Sequence, residues 1–315
     1  MCIFSGNPDS VSETRIFVAP CSEPDIPPIR FWFPWFGNNN NSTSSSPLVK
    51  KNGKQITVYG NTVSTSSPVA MVLPVPNKSG SPQSIEMIDT SGVDADTFFS
   101  QLKGCFPKVP KVKGLGTRSF VSMNFSADSA HLEVKRAGSY RYSIVPSTRD
   151  FNRLDQDIFS YKMTPEVKDL LCTHYHTGYS FLVCIIDQGA QYKPIAYVHD
   201  MMKGNRLFIP TRHFHGHNNN NNTSNIMTHQ YSPLSHNSES DEADWDHQIY
   251  VAGISRDVEF GINAKMDNAL TIVTPNAITE KCKYNLPYNE FRRQQIKRWN
   301  AKRWPNTDII LQAAA

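Results

Sequence analysis

Short runs of β-branched and aromatic residues, punctuated by Gly, Pro and Asn, constrain this chain more than any other feature. They lack a sustained 3.6-residue apolar period and are brief, so they read as strands rather than helices. Residues Thr14 to Ala19 form one such run, and Gln55 to Val63 alternates clearly, with a bend or bulge expected at Gly60-Asn61. Ala70-Met-Val-Leu-Pro-Val-Pro76 is nearly continuous in apolar character. That suits a strand covered on both faces, with its prolines forcing an end or an edge position. Further strands are expected at Ile85 to Asp89, Tyr179 to Ile186, Pro194 to Val198, Arg206 to Thr211 and Gln248 to Ala252. Leu132 to Arg136 and Tyr140 to Val145 read as a hairpin turning near Ala137-Gly138, and Lys203-Gly-Asn as a turn.

Helical signals are fewer. Asp94 to Gly104 has an acidic start and a Gly stop, and Thr164 to Leu171 has a Thr cap, a first-turn Pro and a following Glu. Many short strands with few helices give an α+β class dominated by antiparallel β-sheet.

The 315 residues are 39% hydrophobic, 11% aromatic and 19% charged. The low apolar and charged fractions trace to two Asn/Ser-rich insertions, at about 22–52 and 216–243, expected to be disordered loops. Without them roughly 260 residues remain, one large unit by size. The expectation is therefore a single β-rich domain over 1–303, followed by a frayed tail over 304–315. No stretch approaches the length of a membrane-spanning apolar helix. Nothing here fits a coiled coil, a collagen or a small disulfide scaffold.

A net charge of +4 is too mild to imply nucleic acid. The six cysteines are scattered without a CxxC pair, which predicts reduced thiols in a cytoplasmic protein. The N-terminus carries neither the basic nor the apolar region of a signal peptide.

Cys2 is the first residue with candidate chemistry. Removal of Met1 would leave a thiol beside an α-amine whose pKa, near 7.7–8.0, suits a general base. Such a pair fits an N-terminal-cysteine amidohydrolase, and the same two groups chelate metals. The Met-Cys opening is also similar to that of class II glutamine amidotransferases and bile-salt-hydrolase-like amidases. The Gly-Arg-Asn-type strand of the latter is missing.

The second constellation is His213-Phe-His215 before the second insertion, with Asp246-His247 after it. In a strand, His213 and His215 share a face. If the insertion closes a hairpin, His247 arrives beside them, with Asp244 or Asp246 to orient one ring. Three imidazoles, with Cys2 as a fourth group, make a candidate site for a transition metal such as zinc or copper. His174 and His176, by contrast, read as charges at a helix C-terminus, and His131 and His199 as structural.

Tyr288 to Trp304 reads as a basic helix without a clean apolar stripe. It supports a third alternative, a non-catalytic interaction protein that docks a partner there.

Several stretches together resemble an uncharacterised, mainly bacterial family. They are Met1-Cys-Ile-Phe-Ser5, Thr14-Arg-Ile-Phe17, Val69 to Pro76, Ser139 to Asp155, Phe208 to His215 and Asp246-His247. The Val-Leu-Pro-Val-Pro element at 72–76 is fainter in its similarity to a secreted family of unknown function. The resemblance implies one domain and associates Cys2 with the His-x-His and Asp-His elements. It implies no reaction, and this chain departs from it in the two Asn-rich insertions. The leading expectation is metal binding through His213, His215 and His247 near Cys2, with no membrane partner.

Overall fold

The computed structural model describes residues 2–5, 10–21, 53–90, 95–104, 106, 132–159, 165–187, 194–214, 247–255, 257–263, 291–296 and 307–314. Both Asn/Ser-rich insertions lie outside the described residues, as does His131.

Strands dominate, with few short helices. In chain order the strands are β1 (Cys2–Ser5), β2 (Ser10–Cys21), β3 (Lys54–Ser64), β4 (Val69–Pro76), β5 (Glu86–Ile88), β6 (Lys135–Ala137), β7 (Tyr140–Val145) and β8 (Tyr179–Ile186). They continue with β9 (Ile195–Asp200), β10 (Arg206–Ile209), β11 (His213–Phe214), β12 (His247–Ala252), β13 (Ile262–Asn263), β14 (Phe291–Ile296) and β15 (Ile309–Gln312). The α-helices are α1 (Ala95–Gly104), α2 (Gln156–Phe159) and α3 (Pro165–His174).

Among the described residues, a six-stranded sheet has the order β11-β1-β4-β8-β7-β6, and a seven-stranded sheet the order β13-β14-β12-β2-β3-β9-β5. A two-stranded ribbon joins β10 to β15. Pairing is mostly antiparallel, but β1 runs parallel to β11, and β2 parallel to β12. Both sheets are therefore mixed.

Strand alternation sorts the apolar side chains into three cores. Phe4, Met71, Leu73, Val75, Leu182 and Cys184 of the first sheet meet Ile16, Val18, Tyr59, Ile195, Ile249 and Val251 of the second. The opposite face of the seven-stranded sheet, including Phe17, Val58 and Tyr250, packs under Phe98, Phe99 and Leu102 of α1. The opposite face of the six-stranded sheet, including Ile3, Val72 and Val183, packs under Val167 and Leu171 of α3. Helix, sheet, sheet and helix thus form four layers.

The apolar run at 69–76 is buried at every position, as a strand covered on both faces requires. Its prolines obey the edge rule locally. The β1 ladder covers only Ala70, Met71 and Val72, so Pro74 and Pro76 lie beyond it and leave no donor missing there. At Gly60 the close approach belongs to α1: an added Cβ would lie 3.0 Å from the Phe99 ring. The bulge itself falls in β2, between Ser12 and Arg15, opposite Gly60 to Thr62. The hairpin turns at Gly138 as expected, and the three-residue 203–205 turn between Met202 and Arg206 has positive φ at Gly204 (80°) and Asn205 (54°), which Gly and Asn tolerate.

Two expectations are corrected. The segment read as a basic helix contains a strand, β14, paired along its whole length with β12. Its arginines explain the change: Arg292 and Arg293 are buried, Arg292 Nη1 donates to the Val258 carbonyl, and the Arg293 guanidinium lies 5.0 Å over the Phe106 ring. Non-local pairing and guanidinium stacking outweigh helix propensity, which is a weak prior. The remainder of 288–304 lies outside the described residues. The second correction concerns the tail. Residues 309–312 form β15, antiparallel to β10, and bury Leu311. Burial of Leu311 and Ala313 in the inter-sheet core supplies the hydrophobic gain that holds this end of the chain.

Candidate functional site

The first strand sits inside its sheet, between β11 and β4. Ile3 and Phe4 anchor it, each almost fully buried, in the outer and inter-sheet cores respectively. This fixes the parity of β1 and places Cys2 in register with His213: the two are Cα partners in the parallel ladder, followed by Ile3 with Phe214. Cys2 and His213, separated by more than two hundred positions in sequence, are neighbours in the fold.

The hairpin expected to bring His247 to His213 does not form. β11 belongs to the six-stranded sheet, whereas β12 pairs with β2 and β14 in the seven-stranded one. His247 is fully buried and shares strand parity with Ile249 and Val251, which line the inter-sheet core. His215, Asp244 and Asp246 lie outside the described residues. Among the described residues, no group of three or more His, Cys, Asp and Glu side chains is placed to hold a metal ion. Likewise, no helix among them is long and apolar enough to cross a membrane.

β11 is held from the side by the end of the chain. Thr211 Oγ1 donates to the Thr307 carbonyl (2.8 Å), and the Arg212 backbone N–H donates to Asp308 Oδ1 (3.0 Å). The Tyr175 hydroxyl donates to the other carboxylate oxygen of Asp308. Tyr175 is 3% exposed, and burial together with the Asp308 charge drives its hydroxyl pKa far upward, so it remains a donor. Burial, then the nearby Arg212 charge, lowers the pKa of His174 in the last turn of α3, while Asp308 and Asp169 oppose the shift. Spacing in sequence gave no sign of Tyr175, Arg212 and Asp308 as a group. The one available signal was the apolar Ile309-Ile-Leu311 run that docks β15.

His199 occupies a different setting. Its Nδ1–H donates to the Asp200 carbonyl (2.8 Å), which leaves Nε2 to accept from the Thr57 hydroxyl (3.2 Å). Gln55 Nε2 donates to Thr57 Oγ1 (2.8 Å) and to the Phe208 carbonyl (2.7 Å), while Gln55 Oε1 accepts from the Phe208 N–H (2.8 Å). Burial pushes the His199 imidazole down to about 4, so it is neutral near pH 7. The structural role expected for this histidine fits a ring whose two nitrogens both serve the fold.

Of the cysteines, Cys21 and Cys184 are buried, and Cys172 on α3 is exposed. Cys172 therefore provides an exposed reference thiol in the same molecule.

No family model matches the chain. Among solved structures, it is similar to a mutated baculovirus P35 after caspase cleavage, at 12% identity over 96% of this chain and 98% of that one, with a TM-score of 0.36. It is similar also to baculovirus P35, at 12% identity over 97% of each chain and a TM-score of 0.35. A third similarity is to a caspase-8/P35 complex, at 13% identity over 78% of this chain and 65% of that one, with a TM-score of 0.32.

Proposed function

We propose that the protein acts through Cys2 as a nucleophile, with His213 as its imidazole partner, in acyl transfer from an amide. The observation that carries this reading is the Cα register of Cys2 with His213 across the β1–β11 ladder. A cysteine needs a base within reach to supply thiolate at neutral pH, and histidine is the side chain whose ordinary pKa suits that task. In this reading His213 takes the thiol proton and the sulfur attacks the amide carbonyl carbon. The C–N bond then breaks, the amine leaves with the proton from the imidazolium, and water hydrolyses the resulting thioester to acid and free thiol. His213 thereby fills the role that the α-amine has in an N-terminal-cysteine amidohydrolase, and the mechanism does not depend on where the mature chain begins.

The same register favours one further reading, a zinc or copper site. A thiolate and an imidazole are two suitable donors, and His215 two positions on would supply a third. His247, in the other sheet, is not required. The interaction reading loses its motivation at the described part of the basic segment, because Arg292 and Arg293 are turned to the protein's own groups.

Iodoacetamide labelling, followed cysteine by cysteine by mass spectrometry, tests these readings. Near pH 6, about two units below the ordinary thiol range, Cys2 is expected to react faster than exposed Cys172. His213→Gln is expected to slow Cys2 by about 10²-fold and leave Cys172 unchanged. Identical pH profiles for the two thiols in the wild-type protein would overturn the nucleophile reading. A stoichiometric metal in the purified protein, with Cys2 protected until a chelator is added, would establish the metal site instead.

A further inference from the structure

Asp308 lies outside both Cys2 and His213, yet it meets the segment that delivers His213. We infer that Asp308 is a positioning residue for the Cys2–His213 pair, acting through the backbone of Arg212. The inference rests on the proposed thiol–imidazole reading and adds the element that sets its geometry.

Residue 212 immediately precedes His213, the first residue of β11. The approach of β11 is held at 211 and 212, where Thr211 Oγ1 donates to the Thr307 carbonyl and the Arg212 N–H donates to Asp308. The Asp308 carboxylate accepts the Arg212 N–H at 3.0 Å on one oxygen and the Tyr175 hydroxyl on the other. The carboxylate is therefore itself oriented from α3, through a buried tyrosine packed edge-on against Tyr179 and Phe181 at centroid distances of 5.1 and 6.4 Å. Next to Asp308, β15 is clamped to β10 by the register Ile309 with Ile309's partner Ile209, through to Gln312 with Arg206. A charged acceptor on a backbone N–H is about twice as strong as a neutral one, which suits a bond at the entry of β11. The Asp308 charge is felt at Tyr175, at His174 of α3 and at Tyr179 of β8, and the Arg212 guanidinium opposes it at Tyr175 and His174.

The device thus links the end of the chain to its beginning. β15 docks on β10, Asp308 holds Arg212, and His213 then meets Cys2 in register. Displacement of reacting groups by about 1 Å costs up to about 10²-fold in rate. Loss of this one carboxylate is therefore felt at the thiol through the backbone of Arg212.

The experiment uses the full chain with Asp308→Ala, Asp308→Asn and Asp308→Glu, and reads two quantities. Amide hydrogen exchange over 211–214 reports the position of β11, with 248–252 in β12 as the internal reference. The pH profile of Cys2 alkylation, relative to Cys172, reports the pair. Asp308→Ala is expected to raise exchange over 211–214 selectively and to cut the relative Cys2 rate near pH 6 by roughly ten- to a hundredfold. Asp308→Asn keeps an acceptor of the same shape and is expected to retain most of both. Unchanged exchange over 211–214 in Asp308→Ala overturns the positioning role. So does altered exchange with an unaltered Cys2 profile, which leaves Asp308 as a purely structural tie. Should Asp308→Ala fail to fold, Tyr175→Phe frees one carboxylate oxygen without touching the Arg212 bond, and the same two readouts then decide by a smaller shift in the same direction. Failure of the underlying reading is seen separately, in wild-type protein alone, as equal profiles for Cys2 and Cys172.

Discussion

His199 and His213 are both strand histidines with a hydroxyl- or thiol-bearing residue on the adjacent strand, Thr57 diagonally for His199 and Cys2 in register for His213, yet the fold treats them differently. His199 lies on β9, an interior strand between β3 and β5, fully buried, with each ring nitrogen bonded. His213 lies on β11, the terminal strand of its sheet among the described residues, in register with Cys2. An imidazole whose two nitrogens are spent on Thr57 and Asp200 has no proton to exchange, and burial holds it neutral. In the proposed reading, His213, in Cα register with Cys2, is where proton transfer is coupled to chemistry. Residue type alone does not make the distinction; position in the sheet does.

This comparison can be broken most directly by acid. The His199 pKa is lowered to about 4 in the fold, against 6.5 when unfolded. The unfolded chain then binds a proton that the native state refuses. The His199 contribution is complete above about pH 6.5, is lost as pH falls toward 4, and saturates below that at about 3 kcal/mol. Urea unfolding at a series of pH values is expected to show that decline, and His199→Gln to flatten it. Cys2 alkylation should follow a different curve, unaffected by the His199 substitution. If His199→Gln shifted the Cys2 profile as much as His213→Gln does, the two histidines would not be separate systems.

A smaller effect is expected at Gln55, which satisfies both the N–H and the carbonyl of Phe208. Gln55→Leu leaves these buried groups unmet and should cost about 2 kcal/mol, read from the denaturant midpoint. The expected effect on Cys2 is nil. Smallest is the Lys54–Asp200 pair at 2.8 Å, whose side chains retain 20% and 12% exposure. Lys54→Met should lower stability by less than about 1 kcal/mol, with the loss shrinking as salt is added.

Much of the fold was legible in the sequence, for a physical reason. Period-2 alternation and β-branched content are local, so the strands at 140–145, 179–186 and 248–252 fall where the pattern places them. The turns at Gly138 and at Gly204-Asn205 follow from residues that tolerate positive φ. Of the candidate site, Cys2 and His213 were both singled out, but not as partners in register. A hairpin over the second insertion was expected to gather the histidines, whereas His213 pairs with β1 and His247 with β2 and β14. The Arg/Gln-rich run at 291–296 misled because guanidiniums that stack on Phe106 and cap Val258 look, in sequence, like solvated helix charges.

The sequence by itself determined most of the longer strands, their apolar faces and which side chains are chemically competent, but not β14 or β15. The tertiary structure decided partners. Alternation tells a strand which way its residues face, but no local signal names the strand beside it. The parallel pairings β1–β11 and β2–β12, the docking of β15 on β10, and the Asp308 tie all join residues far apart in sequence, and burial of the three apolar cores selects among the registers that alternation allows.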